Sequence, residues 1–385
     1  MLTVAIASII LPLGWAGCSG DGAEWDGETI RLGSIFSTTG DGAAFGPQQL
    51  KAAELAVDLI NRDGGVNGAE LTLEQRNDAG DPAASARAMR SLIEGEEALA
   101  VLGPTFSNSS AEAHPVANRQ RTPVLAVSNT GPGIVGDCPY PCDYIFRASL
   151  GEAEAIPANV GDFVEAGRTG LVDILYPEGD AFGESSAETA EQAFAAAGVT
   201  AAAGSVGPGG IDAVTAVVRD AYMITASSGE TVVDLIRQLR ALGYGGTILG
   251  GNAFNSLTAA GELGEDGKGA RSAAAWFAGN DSEENRDFIS AYRDRYGEEP
   301  DQFAAQAFTG VELLAAAAEA ADLSFDDLAS DREALLPALE QVEQETPLGD
   351  FRFTADHDVS QPIWIVEMDG SGGYELIEKI PAPEG

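Results

Sequence analysis

Apolar residues along the chain alternate between short runs and stretches with helical spacing. The run at 30–36 precedes a stretch at 47–61 in which apolar residues recur every three or four positions. A short run predicts a buried strand, and the wider spacing predicts an amphipathic helix. The order repeats with a helix expected from Asp81-Pro82, a favourable N-cap followed by a favourable first helical residue. Strands are then expected at 98–103 and 123–127.

The same alternation begins again after Arg147. Strands that alternate with helices predict parallel sheets covered by helices on both faces. The late helices need a sheet to cover, so we expect the chain to cross more than once between two α/β lobes and to leave a hinged cleft. The predicted helices are 154–166, 183–197, 231–242 and several between 282 and 343, and the predicted strands are 171–176, 222–226, 247–250, 351–353, 363–367 and 374–377.

The composition adds a strong negative charge. The 385 residues include 61 Asp or Glu and 21 Lys or Arg, for a net charge of −40, and 44% of them are hydrophobic. This apolar share is sufficient for folded domains. Because an acidic surface repels nucleic-acid phosphates and anionic lipid headgroups, both are excluded as partners.

The N-terminal segment is apolar and short. Residues 1–17 fall below the roughly 20 apolar residues that a membrane-spanning helix needs, and they are typical of a secretory signal peptide. Trp15-Ala16-Gly17-Cys18-Ser19 resembles a bacterial lipobox, in which Cys18 becomes the lipidated first residue and 18–28 a polar linker. No Lys or Arg precedes Cys18 and Trp15 replaces the usual Leu, so the alternative is a plain signal peptide with an incidental cysteine.

Two further cysteines, Cys138 and Cys142, stand four positions apart and flank two prolines. Outside the cytoplasm such a pair is expected to form a local disulfide. The alternative is half of a metal site. His114 and His357 are the only histidines, and no second cysteine pair supplies the remaining ligands. We therefore expect a disulfide and no metal.

Motifs of known enzymes are incomplete in this sequence. The glycines at 40–46 fit neither a dinucleotide-binding nor a phosphate-binding loop. Gly183-Glu184-Ser185 lacks the closing glycine of a nucleophile elbow. Asp356-His357-Asp358 is better explained as a β-turn between the strands at 351–353 and 363–367 than as a set of metal ligands. We expect no enzymatic activity and no cofactor.

Small hydroxyl residues follow two successive strands of the first predicted sheet. Ser107 to Ser110 follow the strand at 98–103, and Ser128 to Thr130 follow the strand at 123–127. Each cluster alone is explained by helix capping or turn formation. Because the carboxyl ends of parallel strands share one edge, where helix N-termini converge, the two clusters together favour an anion-binding site.

Several segments occur in the order in which a known family has them. They are Ile30 to Gly40, Phe45-Gly46, the helical stretch 50–61, Gly64-Gly65-Val66-Asn67-Gly68, Asn77-Asp78, Asp81-Pro82, Val101 to Pro104, 122–124, 145–147 and Phe182-Gly183. Over nearly the whole mature chain the sequence resembles the periplasmic leucine/isoleucine/valine-binding proteins of ABC transporters.

The resemblance implies the type I periplasmic binding fold, an α/β fold of two Rossmann-like lobes with parallel central sheets joined by a three-crossing hinge. The first lobe is expected to contain 29–148 and 279–348, and the second 149–278 and 349–385. It implies a periplasmic or cell-surface lipoprotein that delivers a small polar molecule to ABC permease subunits, with the membrane reached only through the lipid anchor. The alternative is a ligand-sensing subunit of a signalling system.

The resemblance also implies a set of binding residues. Ser107, Ser128 (through its backbone) and Thr130 would hold a ligand carboxylate, and Phe45 and Phe182 would flank the ligand.

Two departures concern the second lobe. Asn252 stands where the family has an acid for the ligand's α-ammonium, and Glu178 or Asp180 is an alternative source of negative charge. Ser227-Ser228-Gly229 replaces an aromatic residue that the family often has after the preceding strand, and Ser228 is expected to meet the ligand. The expected ligand is an amino acid, an amide or a small carboxylate, and the departure at Asn252 favours one without an ammonium group.

Overall fold

The computed structural model describes residues 28–211, 219–321 and 323–383. The predicted signal segment 1–17 and Cys18 lie outside these residues. Within them the strands are β1 (Thr29–Ile35), β2 (Glu70–Arg76), β3 (Ala100–Leu102), β4 (Val124–Ala126), β5 (Ile145–Arg147), β6 (Leu171–Pro177), β7 (Thr200–Val206), β8 (Ala221–Ile224), β9 (Thr247–Gly250), β10 (Ala270–Ala274), β11 (Glu343–Thr346), β12 (Gly349–Phe353), β13 (Val359–Ser360), β14 (Ile363–Met368) and β15 (Tyr374–Ile380).

The helices of the same residues follow the predicted order closely. They are α1 (Gly46–Arg62), α2 (Pro82–Arg90), α3 (Ser107–Arg119), α4 (Glu152–Glu165), α5 (Ala181–Ala196), α6 (Gly229–Ala241), α7 (Leu257–Leu263), α8 (Glu283–Tyr296), α9 (Gln302–Ala320) and α10 (Leu328–Glu340). Asp81 caps α2 as expected, because its side chain accepts a hydrogen bond from the backbone N–H of Ala84.

Two sheets form the centres of two lobes. In the described residues, the first sheet has the parallel order β2-β1-β3-β4-β5. The second has the order β15-β14-β10-β9-β8-β6-β7, in which β14 and β15 run antiparallel to the rest. The predicted fold class is therefore confirmed, and the antiparallel edge of the second sheet is an addition to it.

The late helices return to the first lobe. Helix α9 packs on α1 and against the first sheet, so that Phe308 and Leu313 share a core with Leu32 and Leu102. Gly310 permits this close approach, since a Cβ atom there would lie 2.6 Å from a methyl group of Val127. The start of α9 is thereby placed beside the cleft.

The chain passes between the lobes after β5, after β10 and after β13. Residues 349–360, predicted to belong to the second lobe, belong to the first. Strands β12 and β13 pair with β11, and Phe353 packs against Phe146 with ring centroids 5.1 Å apart. The strand pattern at 351–353 was read correctly, but its pairing partner depends on contacts distant in sequence.

Some elements escaped prediction because their sequences carry little apolar signal. Strand β7 is a largely exposed edge strand with three consecutive alanines, and β10 contains an arginine and a serine. The turn at 356–358 leads into β13 rather than into the strand at 363–367. There the Arg147 side chain forms an ion pair with Asp358 (Nε to Oδ1, 2.7 Å). No helix of the described residues has the length and apolar character needed to cross a bilayer.

Candidate functional site

A narrow cleft separates the two lobes at the carboxyl ends of their strands. Its volume is about 300 Å³. A hydrogen bond from Asn108 Nδ2 to Asp180 Oδ1 at 3.2 Å joins the two lobes beside it. Among the described residues, the side chains that line the cleft are uncharged: Phe45, Thr105, Phe106, Ser107, Ser128, Thr130, Phe182, Ala226, Ser227, Asn252, Ala253 and Phe303.

The first-lobe wall carries the three predicted hydroxyl residues. Ser107 is the first residue of α3, and its Oγ accepts a hydrogen bond from the Gly131 N–H at 3.2 Å. The Ser128 hydroxyl donates to the Thr105 carbonyl oxygen at 2.7 Å and accepts from Gln49 Nε2 at 2.9 Å. Because that hydroxyl is already engaged, Ser128 is suited to contact a ligand through its backbone.

Backbone donors and the Thr130 hydroxyl remain available on this wall. Within the described part of the chain, the N–H groups of Ser128 and Thr130 have no hydrogen-bond acceptor. Thr130 is 2% exposed, and its Oγ1 has no hydrogen-bond partner among the residues that the structure describes. Unpaired donors in a buried cleft are costly unless a ligand satisfies them, and donors at strand ends and helix starts suit an anion.

Aromatic side chains form the apolar part of the cleft. Phe45 precedes α1 and packs against Phe303 at 4.4 Å and against Phe106 at 6.0 Å between ring centroids. Phe182, near the start of α5, reaches the first lobe: a Cβ atom on Gly131 would lie 3.2 Å from its ring. Phe45 and Phe182 were predicted from the sequence, whereas Phe106 and Phe303 were not.

The second-lobe wall contributes fewer polar groups. The Asn252 Oδ1 accepts a hydrogen bond from Gln302 Nε2 at 2.7 Å, so the Asn252 amide has its donor end free for a ligand. Ser227 lines the cleft. Ser228, predicted to contact the ligand, lies outside the lining and caps α6 through a hydrogen bond from the Thr231 N–H.

A sequence model of the periplasmic binding protein family matches residues 29–373. The chain belongs to this family. The resemblance to leucine/isoleucine/valine-binding proteins is also confirmed. The chain is 25% identical over 347 residues to Leu/Ile/Val-binding protein homolog 3 of Brucella melitensis biotype 1. This alignment covers 86% of this chain and 89% of that protein.

Solved structures of other binding proteins share the fold. LivJ of Streptococcus pneumoniae, a branched-chain amino acid transporter substrate-binding protein in complex with isoleucine, superposes with a TM-score of 0.80 at 22% identity, over 92% of this chain and 100% of LivJ. A solute-binding protein of an R. palustris ABC transporter, in complex with benzoate, superposes with a TM-score of 0.81 at 20% identity. The superposition covers 93% of this chain and 98% of that protein. At these identities the likeness establishes the fold.

The two acids proposed to replace the missing charge of this periplasmic binding protein do not line its cleft. Glu178 is exposed. Asp180 accepts hydrogen bonds from Asn108 Nδ2 at 3.2 Å and from the Ser227 N–H at 2.8 Å, so both of its oxygens are engaged. The first of these bonds joins the two lobes.

A different acid, Glu152, lies directly behind the cleft. It is the first residue of α4, is 1% exposed, and its Oε1 accepts a hydrogen bond from the Asn252 N–H at 3.0 Å. Its own N–H donates to the Thr130 carbonyl oxygen at 2.8 Å. Glu152 therefore joins the central residues of both walls. The helix predicted from the sequence begins at 154, two residues later, so Glu152 was not predicted as a site residue.

The Glu152 carboxyl is poised between charged and neutral forms. Burial raises its pKa to about 7, while the Asn252 N–H, the Thr130 hydroxyl and the Arg147 charge favour the carboxylate. Its Oε2 is buried and has no hydrogen-bond partner within the described ranges, since the contact with the Thr130 hydroxyl falls short of a well-formed hydrogen bond. A nearby ligand cation would stabilise the charged form.

The described residues contain no group of three or more His, Cys, Asp or Glu side chains arranged to hold a metal ion. The cleft hydroxyls have no histidine or charged base among the lining residues. Cys138 and Cys142 form a disulfide in the segment between β4 and β5. The cleft lining offers hydrogen-bond donors and aromatic surface, which suit the binding of a small molecule.

Proposed function

We propose that this protein captures a small α-amino acid with an apolar side chain outside the cytoplasm and delivers it to an ABC importer. The observation that carries the proposal is the convergence of Ser107, Ser128 and Thr130 on an uncharged, aromatic cleft. Donors at strand ends suit a carboxylate, and hydrogen bonds to a charged group contribute roughly 1.5–3 kcal/mol each.

The three parts of such a ligand have separate partners in the cleft. The carboxylate would accept from the N–H groups of Ser128 and Thr130. The apolar side chain would lie between Phe45 and Phe182. The ammonium would approach the Thr130 hydroxyl with Glu152 behind it, so that Glu152 supplies the negative charge that Asn252 lacks.

The ligands of the similar structures support the carboxylate end of this assignment. LivJ holds isoleucine and the R. palustris protein holds benzoate. Both ligands have a carboxylate on an apolar body, and only isoleucine has an ammonium group. The presence of Glu152 favours the isoleucine-like class here.

The proposal is tested by calorimetric titration of the mature protein with isoleucine, benzoate and acetamide. We expect one-to-one binding, tightest for isoleucine. Tighter binding of benzoate would contradict the role given to Glu152 but not solute capture, and no binding of amino acids, carboxylates or amides would contradict solute capture itself.

Delivery and anchoring are further parts of the proposal. The family to which the chain belongs supports an extracytoplasmic location, and we propose that a lipid on Cys18 holds the protein at the membrane. Cys18→Ser should release it from the membrane fraction. Deletion of the protein should abolish cellular uptake of the labelled ligand, whereas loss of a response to the ligand with unchanged uptake would indicate the sensing alternative.

A further inference from the structure

A second cavity lies at the hinge, next to the ligand cleft. The start of α9 separates the two, because Phe303 lines the cleft and Gln302 lines the cavity. Its volume is about 720 Å³, compared with about 300 Å³ for the cleft. The cavity therefore has the size of a small-molecule site, for which about 300–1,000 Å³ is typical.

The walls of the cavity are mainly apolar and include three aromatic side chains, two of which are held by hydrogen bonds. Trp276 and Phe277 come from the second crossing between the lobes, and Tyr374 comes from β15. The Trp276 indole N–H donates to Asn285 Oδ1 at 2.7 Å. The Tyr374 hydroxyl contacts the carbonyl oxygen of Ser256 at 2.9 Å. Because both rings are fixed by these bonds, the cavity is preformed.

The charged groups that line the cavity all carry carboxyls. Glu299, Asp301 and Asp369 contribute side chains, and no Lys or Arg is among the described lining residues. Glu299 is paired with Arg293 (Oε1 to Nε, 2.7 Å). Asp369 accepts from the backbone N–H of Gly373 at 3.0 Å. These two carboxyls are thus engaged with the protein.

Asp301 differs from the other two because it is 1% exposed and only half satisfied. Its Oδ1 caps α9 by accepting from the Ala304 N–H at 3.0 Å, and its buried Oδ2 has no hydrogen-bond partner in the described part of the chain. Nearby N–H groups of Leu257 and Phe303 favour the charged form, but burial outweighs them and raises the pKa of Asp301 to about 7. A cation in the cavity would reverse that balance.

We propose that the hinge cavity binds a small aromatic amine, with the ring against Trp276 and Tyr374 and the ammonium group at Asp301. Aromatic faces attract organic cations, and a buried carboxylate supplies the charge partner. The site requires neither the ligand nor the partner assigned to the cleft.

The cavity is also connected to the cleft, and this second part rests on the proposed function. Gln302 Oε1 accepts from the Ala275 N–H at 2.7 Å on the cavity side, and its Nε2 donates to Asn252 Oδ1 at 2.7 Å on the cleft side. An occupant that shifts the second crossing would therefore alter the position of Asn252. Binding at the two sites should be coupled by the same factor in both directions.

The test uses 2-phenylethylamine as the probe, titrated calorimetrically into the mature protein, with neutral 2-phenylethanol for comparison. We expect one-to-one binding of the amine with a Kd of about 1 mM or tighter, and weaker binding of the alcohol. Asp301→Asn should weaken amine binding at least tenfold while it retains a good N-cap residue. The matched control is Asp327→Asn, since Asp327 caps α10 and its replacement should leave amine binding unchanged.

A second variant keeps the proposal falsifiable if Asp301→Asn folds poorly. Ala278 lies at the exposed rim of the cavity, so Ala278→Trp should block the amine. Absence of saturable amine binding, or binding that survives both variants, would overturn the site. Unchanged isoleucine affinity at saturating amine would overturn the coupling alone. Failure of isoleucine to bind would contradict the amino-acid assignment of the cleft and leave the amine site standing.

Discussion

The two walls of the cleft differ in what holds their polar groups. On the first-lobe wall, the Ser128 hydroxyl is fixed by bonds within its own lobe, and Thr130 is buried with a free hydroxyl. On the second-lobe wall, Asn252 is held by a bond to Gln302 of the first lobe. The Ser128 hydroxyl is therefore held independently of the second lobe, whereas the Asn252 side chain is oriented by a contact between the lobes.

This difference implies that the first lobe binds the ligand initially and that the second lobe selects and retains it. A preformed wall can bind a ligand before closure, and a wall assembled by closure can select among ligands and retain them. Changes in the first wall should then weaken every ligand, and changes in the second should alter the ranking of ligands. The predictions below separate these effects.

The largest effect is expected from Thr130→Val, which removes a buried hydroxyl from the first wall at nearly constant volume. Because the ligand loses its hydrogen bond to this hydroxyl, the binding free energy should weaken by about 1–3 kcal/mol, which is roughly 5–150-fold in affinity. The matched control is Thr309→Val in α9, a fully buried threonine whose Oγ1 also lacks a partner but which lies outside the cleft lining. Equal losses of isoleucine affinity in both variants would remove Thr130 from the site.

The next effect concerns pH and the acid that joins the walls. A ligand ammonium favours the Glu152 carboxylate, whose pKa burial raises to about 7. Binding should therefore release a proton, and isoleucine affinity should rise by up to about tenfold between roughly pH 6 and pH 8. Calorimetry in buffers of different ionisation enthalpy measures the released proton. Glu152→Gln should abolish the dependence; a dependence that survives this change belongs to another group.

The same raised pKa has the opposite consequence for the ligand-free protein. The folded state holds a proton that the unfolded chain releases above the ordinary pKa of a glutamate. The contribution of Glu152 to the free energy of unfolding therefore falls as pH rises from about 4.5 towards 7. Chemical denaturation measures the free energy of unfolding across this pH range, and that free energy should decline less with pH in Glu152→Gln than in the unmodified protein.

A smaller, selective effect is expected from Asn252→Asp in the second wall. The new carboxylate would still accept from Gln302 and would turn its other oxygen to the cleft in place of an amide donor. The ratio of isoleucine to benzoate affinity should rise several-fold. An unchanged ratio in paired titrations would reduce Asn252 to a structural residue.

The smallest effect on ligand affinity is expected from Ser228→Ala. Ser228 caps α6 and does not line the cleft. Its removal should lower the free energy of unfolding by about 1 kcal/mol and leave isoleucine affinity unchanged. Ser228→Asp, which preserves a capping side chain, should restore stability. A large loss of affinity in Ser228→Ala would place this residue in the binding site after all.

The sequence predicts the first wall better than the second for a physical reason. Ser107, Ser128 and Thr130 stand just past strand ends, and the local order of strand, polar turn and helix is sufficient to bring them together. Glu152 reaches Asn252 across 100 positions of the chain, and Gln302 reaches it across 50. Such contacts depend on how the crossings return the chain, which no local pattern encodes.

The domain boundaries also depend on contacts that are distant in sequence, unlike the individual strands and helices. The central strands and helices were predicted within a few residues, because their apolar periodicity is strong. Strand β12 was assigned to the wrong lobe because its alternation of buried and exposed residues is compatible with packing on either lobe. Its pairing with β11 decides the matter.

The proposed function depends above all on the binding of the ligand by the backbone N–H groups of Ser128 and Thr130. Amide hydrogen exchange, resolved at these two residues by NMR, tests it directly when measured with and without saturating isoleucine. We expect both amides to exchange more slowly in the complex than in the free protein, and the amide of Thr231 in the α6 cap to change little. Unchanged exchange at Ser128 and Thr130 in a protein that demonstrably binds isoleucine would contradict it.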